Sequence, residues 1–289
     1  MLVHPSSPAT RLRELLARPG LFTMPCCFDA LSARLIAEAG FELTFMSGFG
    51  VSAARLGAPD TGLVSYGEML DQGRNICAAS PIPVIGDGDT GYGNALNVKR
   101  TVRGYAQVGF AGVMIEDQVA PKRCGHTEGK QTVSREDALI RLRAAVDARD
   151  EGADIVIVAR TDARATHGFE EALVRARAFA ELGADIVFVE ALTSTAEMRQ
   201  ACASVPKPML ANMLEGGKTP VLPPAELAAL GYKLAAYPLT LLSSAVRAMR
   251  DALGSLSRGE PPSGLLSFSE LQRVVGFHAY DVEAERYAR

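Results

Sequence analysis

Eight times along this chain a short apolar run gives way to a polar turn and then to a segment with apolar residues at helical spacing. The runs cover residues 21–26, 43–46, 82–85, 112–115, 155–159, 186–189, 208–211 and 234–237. They are apolar throughout rather than alternating, the pattern of strands buried on both faces of a parallel sheet. The amphipathic segments between them include 30–39, 97–108, 135–149, 170–182 and 224–230. Gly40, Gly109, Gly152, Gly183 and Gly231 follow helix ends, where the chain must take up positive φ. Eight strand–helix units in succession predict an α/β fold, a closed (β/α)8 TIM barrel occupying residues 1–240 as one catalytic domain.

The polar residues after these runs belong to the same pattern. Ser47 and Gly48 follow the second run, Asp87 and Asp89 the third, Glu116 the fourth, Arg160 and Asp162 the fifth, Glu190 the sixth and Asn212 the seventh. In such a barrel they lie at the carboxyl ends of the strands, around the mouth where barrel enzymes keep their active sites. After Pro238 come an apolar segment 239–256, a linker 259–264 with Pro261 and Pro262, a segment 268–276 and a charged tail 280–289. Eight strands are already used, so 241–289 reads as a helical extension, either covering the barrel or reaching a neighbouring subunit.

With 289 residues, a net charge of −3 and its acids and bases interspersed, the chain has no nucleic-acid or membrane-surface signature. No apolar run nears the roughly 20 residues of a membrane span, and residues 1–18 lack a secretory leader's apolar core. The five cysteines form no disulfide framework. A cytoplasmic location is expected. Cys26, Cys27, Cys77 and Cys202 read as small core residues, His4 and His278 as surface residues, and His167 as a helix-start residue.

Two motifs carry chemistry. Gly86-Asp87-Gly88-Asp89-Thr90-Gly91 has dinucleotide-loop spacing, but two carboxylates would repel a pyrophosphate. Acids flanked by glycines suit a hard, hydrated cation, magnesium first and manganese as the alternative ion. Glu116, directly after a buried strand, needs a partner or a metal. Asp60, beside Pro59, reads by itself as a turn residue before a ligand, and Arg160 as a carboxylate-binding fork ahead of an ion-pair partner of Asp162 or Glu190. In the second motif, Lys122-Arg123-Cys124-Gly125-His126, a thiol among cations should have a lowered pKa. By the residues alone, Cys124 could be nucleophile or proton donor.

Phe45-Met46-Ser47-Gly48, Pro59-Asp60, Asp87-Gly88-Asp89-Thr90-Gly91, Ile115-Glu116-Asp117, Lys122-Arg123-Cys124-Gly125-His126, Ala159-Arg160-Thr161-Asp162, Val189-Glu190-Ala191 and Asn212-Met213 occur here in order. Together they resemble the isocitrate lyase/phosphoenolpyruvate mutase superfamily, from about Pro25 to Pro238. The cysteine loop marks its carbon–carbon lyases. Phe45, the Ala-Arg-Thr-Asp-Ala-Arg run and Glu215-Gly216-Gly217-Lys218-Thr219-Pro220 are most similar to the 2-alkylmalate branch, that of 2,3-dimethylmalate lyase and petal death protein, with 2-methylisocitrate lyase next.

That resemblance implies a magnesium-dependent retro-aldol cleavage of a 2-alkylmalate to a 2-oxo acid such as pyruvate plus a carboxylic acid. It implies Asp87, Asp89, Asp60 and Glu116 at the metal, and Cys124, Arg160, Glu190 and His126 as catalytic residues. Around a small di- or tricarboxylate hydroxy acid it implies Phe45, Ser47, Gly48, Lys122, Gly125, Asn212 and Pro238. Phe45, Phe49, Met213 and Leu239 are expected to size the pocket. It also implies a homotetramer of helix-swapped dimers. The alternatives within the superfamily are 2-methylisocitrate cleavage, oxaloacetate hydrolysis or decarboxylation, and phosphonate phosphomutase chemistry.

Overall fold

A computed structural model describes residues 6–127 and 129–288; His4 therefore lies outside the described residues. The chain divides into two compact units, Met1–Leu241 and Leu242–Arg289.

In the first unit, eight parallel strands close into a barrel in chain order. They are β1 (Phe22–Cys27), β2 (Thr44–Met46), β3 (Val84–Asp87), β4 (Gly112–Glu116), β5 (Val156–Thr161), β6 (Ile186–Val189), β7 (Met209–Asn212) and β8 (Leu234–Tyr237). The sheet closes through β1 against β8, with Phe22 opposite Leu234 and Pro25 opposite Tyr237. Four strands, β3, β4, β5 and β7, extend past their apolar runs to include the polar residues. Asp87 pairs with Met114, and Glu116 with Arg160. A carboxylate at the end of β4 and a guanidinium at the end of β5 are thus adjacent in the sheet.

Two apolar layers hold the barrel. The outer one lies between strands and helices and includes Val113, Ile157, Val187, Ala211 and Met213. The inner one fills the barrel with Met24, Met114, Val156, Val158, Ile186, Phe188 and Leu234. Leu12 and Leu15, from the opening helix Pro8–Ala17, belong to this inner layer. That helix, which carries no strong sequence signal of its role, seals the barrel floor. Ser7 caps it by accepting from the N–H of Thr10. All five helix-end glycines have positive φ, from 86° at Gly40 to 114° at Gly183.

The second unit contains most of the helix Thr240–Ser257, with Phe268–Val275 and Phe277–Glu285. The charged tail is helical as far as Glu285, within the segment expected to be a helical extension. Gly276, at φ 91°, separates the last two helices. His278 is exposed, as expected. Among the described residues no helix is long and apolar enough to cross a membrane.

Candidate active site

The open mouth of the barrel holds a cavity of about 70 Å³, room for about five waters at ~10–15 Å³ each. Its wall includes Phe45, Ser47, Gly48, Phe49, Asp60, Asp87, Lys122, Cys124, Gly125, His126, Arg160, Glu190, Asn212, Pro238 and Leu239. Of the expected site residues, Asp89 and Glu116 are the two outside that wall. Met213 is also absent from it. It is fully buried in the outer layer while Asn212 and Leu214 face the cavity, since alternate residues at a strand end point to opposite sides. Leu214 therefore replaces Met213 as a pocket-sizing residue.

On one side of the cavity lie the acids. The N–H of Gly48 donates to Asp87 Oδ2 at 3.2 Å, and the N–H of Asp89 to Asp87 Oδ1 at 3.1 Å. A Cβ on Gly48 would stand 2.4 Å from Asp87 Oδ2, so this approach requires glycine. Asp89 is held at φ 46°, a strained conformation for an L residue. Lys122 reaches across from the cysteine loop, 2.6 Å from Asp60 and 2.9 Å from Asp89. Burial alone would lower its pKa, but Asp89, Asp87, Asp60 and Glu116 outweigh that and keep it charged.

Burial is the main cause that raises the carboxyls of Asp87 and Glu116, only partly offset by Lys122 and Arg160. Glu116 Oε1 is buried with no hydrogen-bond partner. These acids fit a hard cation, whose charge would relieve both effects. Among the described residues no three metal-binding side chains converge as a closed cage. Magnesium, which takes one or two carboxylates and keeps several waters, requires none.

On the other side, Arg160 lies under the cysteine loop. Asp162 accepts from its Nε at 2.8 Å and its Nη2 at 3.1 Å. Glu116 is 3.3 Å and Glu190 3.2 Å from the same guanidinium, and the Phe188 ring lies 5.4 Å from its Cζ. Both readings of Arg160 thus meet in one side chain, ion-paired and lining the cavity. Burial pushes Glu190 upward, but Arg160, then His126 and Lys130, hold its carboxyl well below the ordinary range. Asn212 Nδ2 donates to Glu190 Oε2 at 3.2 Å.

The loop closes over these groups. Gln118 clasps its near side, donating to the Arg123 carbonyl at 2.9 Å and accepting from the Arg123 N–H at 3.0 Å. Gln118 also bridges Thr132 at the loop's neck. His126 accepts at Nδ1 from the Lys218 N–H (3.0 Å), which leaves the ring proton on Nε2, 3.2 Å from Glu190. The Glu215–Lys218 turn thus supports the cysteine loop by its backbone.

Cys124 departs from the sequence expectation. Burial raises its thiol pKa; the His126 N–H and Arg160 lower it, while Asp60 and Glu190 raise it further. Lys122, two positions earlier in sequence, spends its charge on Asp60 and Asp89. The balance favours the thiol over the thiolate. The other cysteines are unreactive by comparison, with Cys27, Cys77 and Cys202 pushed up to about 12 and Cys26 also raised, in each case by burial.

One residue of this site escaped the sequence reading. Lys130 is buried beneath the loop, its ammonium 2.7 Å from Asp162 Oδ1 and hydrogen-bonded to the Gly125 carbonyl. Nothing in its local sequence distinguishes it from a solvated loop lysine.

Comparison with known proteins places this geometry. The family model described as phosphoenolpyruvate phosphomutase matches residues 12–257. The 2,3-dimethylmalate lyase of Eubacterium barkeri is 42% identical over 284 residues, covering 97% of this chain and 98% of that protein. The 2-methylisocitrate lyase of Aeropyrum pernix is 39% identical over 288 residues, covering 97% and 92%. Among solved structures, an oxaloacetate acetylhydrolase bound to 3,3-difluorooxalacetate aligns with a TM-score of 0.94 at 36% identity, covering 98% of each chain. A phosphonopyruvate hydrolase in complex with oxalate and Mg2+ aligns at 0.87 and 29% identity, covering 98% of this chain and 100% of that one. A closed eight-strand barrel, acids and a half-buried thiol at one mouth, and these likenesses along the whole chain have one reading: the chain belongs to the phosphoenolpyruvate mutase/isocitrate lyase superfamily and is an enzyme of its lyase type.

Proposed function

We propose that this enzyme cleaves a 2-alkylmalate, of the 2,3-dimethylmalate kind, to a 2-oxo acid such as pyruvate and a carboxylic acid. The observation that carries this reading is geometric: the Cys124 thiol is held at a small cavity whose opposite wall is carboxylate-rich. The cavity suits a compact acid better than a tricarboxylate.

Asp87, Asp60, Asp89 and Glu116 would hold magnesium, with Asp87 nearest the substrate. When bound, the ion lowers the pKa of the substrate hydroxyl and stabilises charge developing on its oxygen. The protein residues do the rest. Ser47 and the backbone at Gly48 orient the 2-oxo-acid half, and Arg160 takes its carboxylate. The substrate hydroxyl gives its proton to a carboxylate of the acidic wall or to a water held there, the C2–C3 bond breaks with its electron pair left on C3 conjugated with the departing carboxylate, and Cys124 Sγ–H supplies the proton that quenches it. The thiolate left behind takes a proton from solvent, so one proton is released and one taken up per turnover. A general acid must be protonated before it can act, and the burial of Cys124 ensures this. Glu190 and His126 fix the loop that carries the thiol, while Phe45, Phe49, Leu214 and Leu239 size the space for the alkyl group. Pocket shape of this kind separates homologues by only about 1–3 kcal/mol per methylene.

The free cysteines fit a reducing compartment, and we place the enzyme in the cytoplasm. In the C-terminal unit Leu253, Phe268 and Tyr280 are 64%, 75% and 74% exposed, which supports burial against other subunits in a homotetramer.

The deciding experiment incubates the protein with magnesium and, separately, 2-alkylmalates, 2-methylisocitrate, isocitrate, oxaloacetate and phosphonopyruvate, and measures the 2-oxo acid released or consumed. Pyruvate from 2,3-dimethylmalate is expected, and C124S should lose turnover by orders of magnitude while still binding ligand. If no hydroxy acid yields a 2-oxo acid, the lyase reading fails. Conversion of oxaloacetate or phosphonopyruvate alone would move the enzyme to the corresponding branch.

A further inference from the structure

Lys130 presents an arrangement that the proposed chemistry does not yet use. Its side chain is 3% exposed and Asp162 is fully buried. A buried ammonium persists only where acceptors surround it. Here they come from two different parts of the protein: the Gly125 carbonyl on the loop side and Asp162 Oδ1 on the barrel side. That same Asp162 oxygen accepts from Arg160 Nη2 at 3.1 Å. Asp162 is itself anchored, since its N–H donates to Asp117 Oδ1 at 2.8 Å. Asp117 in turn pairs with Arg175, at 2.9 Å, and accepts from Thr161 Oγ1 at 2.7 Å. The support runs from the helix Phe169–Leu182 through Asp117 and Asp162 to Lys130 and so to the backbone of the residue beside Cys124.

Gly125 shows how closely the loop approaches the barrel. A Cβ there would stand 2.4 Å from Arg160 Nη2 and 2.5 Å from Glu190 Oε2, so the loop backbone lies directly on the ion pair. We infer that Lys130 is a positioning residue, an internal latch that couples closure of the Cys124 loop to the orientation of Arg160. With the loop down, Lys130 is satisfied by both Gly125 and Asp162, Arg160 is set by Asp162, and the thiol sits over the cavity. With the loop raised, Lys130 loses the Gly125 carbonyl and the loop loses one of its ties to the barrel. The inference rests on the lyase reading for its catalytic meaning, but the latch itself does not depend on which substrate is used.

The test compares wild type, Lys130→Met and Lys130→Arg by iodoacetamide labelling of the intact protein, with each cysteine read separately by peptide mass spectrometry. In the methionine variant Cys124 should label about tenfold faster than in wild type, because the loop opens more often. Arginine, which keeps the charge and donors, should recover most of the protection. Cys27, fully buried between the strands and helices and away from the cavity, serves as the folding control, since it labels only if the barrel opens. If Lys130→Met fails that control, Lys130→Gln carries the same comparison. Cys124 labelling at the wild-type rate in a folded variant would overturn the latch. With whichever substrate is turned over, the methionine variant should lose at least tenfold in kcat with KM changed less than about threefold, the pattern of a displaced transition-state group rather than lost binding. A wild type inactive on every substrate would sink the lyase reading and leave the labelling comparison standing.

Discussion

The ammonium of Lys122 stands 2.6 Å from Asp60 Oδ1, joining the start of the cysteine loop to the segment after β2. Both side chains are nearly buried, at 5% and 9% exposure. The lysine that precedes Cys124 by two positions thus neutralises the acidic wall, and the thiol is left protonated.

Replacing Lys122 by methionine should leave Asp60 and Asp89 without their counter-charge. Removing one partner of a buried pair costs about 3–5 kcal/mol, visible as a lower urea midpoint in chelator-treated protein. Added magnesium should restore more stability in this variant than in wild type, because the ion supplies charge to the same acids. Identical magnesium effects in the two proteins would show that the ion does not bind at these acids.

Gly125→Ala should act on closure and leave the barrel intact. The added methyl group meets Arg160 and Glu190 well inside contact distance, so the loop must lift. A displacement near 1 Å in a catalytic group costs on the order of 100-fold in rate. Turnover should fall by about that factor while the urea midpoint moves little, since the loop yields outward. A large fall in the midpoint instead would mean that the barrel core absorbs the clash.

The pH dependence of Cys124 alkylation tests its protonation state. In metal-free protein, burial and the charges of Asp60 and Glu190 raise the thiol. The labelling rate should therefore climb through a midpoint above the free-thiol value of about 8.5, and at pH 7 it should be slower than that of free cysteine. A midpoint below 8 would restore the reading of Cys124 as a thiolate nucleophile.

Glu171 gives a pH prediction for stability away from the site. Hydrogen bonding to Arg135, opposed by partial burial and reinforced by Arg175, lowers its carboxyl to about 2. A carboxyl depressed in the folded state contributes stability that is complete above its unfolded value, near 4.3, and fades as pH falls toward the folded one. The stability gap between wild type and Glu171→Gln should be full above pH 5.5 and shrink steadily between pH 4.5 and about 2. Urea titrations across this range would show it; a gap independent of pH would mean that the charge contributes nothing.

The barrel was legible because its signal is repetitive. Eight apolar runs and five helix-end glycines do not depend on any long-range contact, and the polar residues that end each run follow from where a parallel sheet stops. Asp87, Arg160, Glu190 and Asn212 were placed at the mouth by that logic alone. What the sequence misjudged depends on through-space neighbours. Cys124 has cations beside it in the chain, but burial and the acids Asp60 and Glu190 govern its proton. Met213 and Leu214 differ only in which way a strand end turns them. Lys130 could not be recognised, because burial of a loop lysine depends on Asp162, 32 positions away.

The opening helix, whose Leu12 and Leu15 fill the base of the barrel, makes the reaction chamber a vessel with a single door. Substrate and both product acids share that entrance, and the loop bearing Cys124 and latched through Lys130 is its lid. Under the proposed reaction, anything that holds that lid shut delays the arrival of substrate and the escape of both products together.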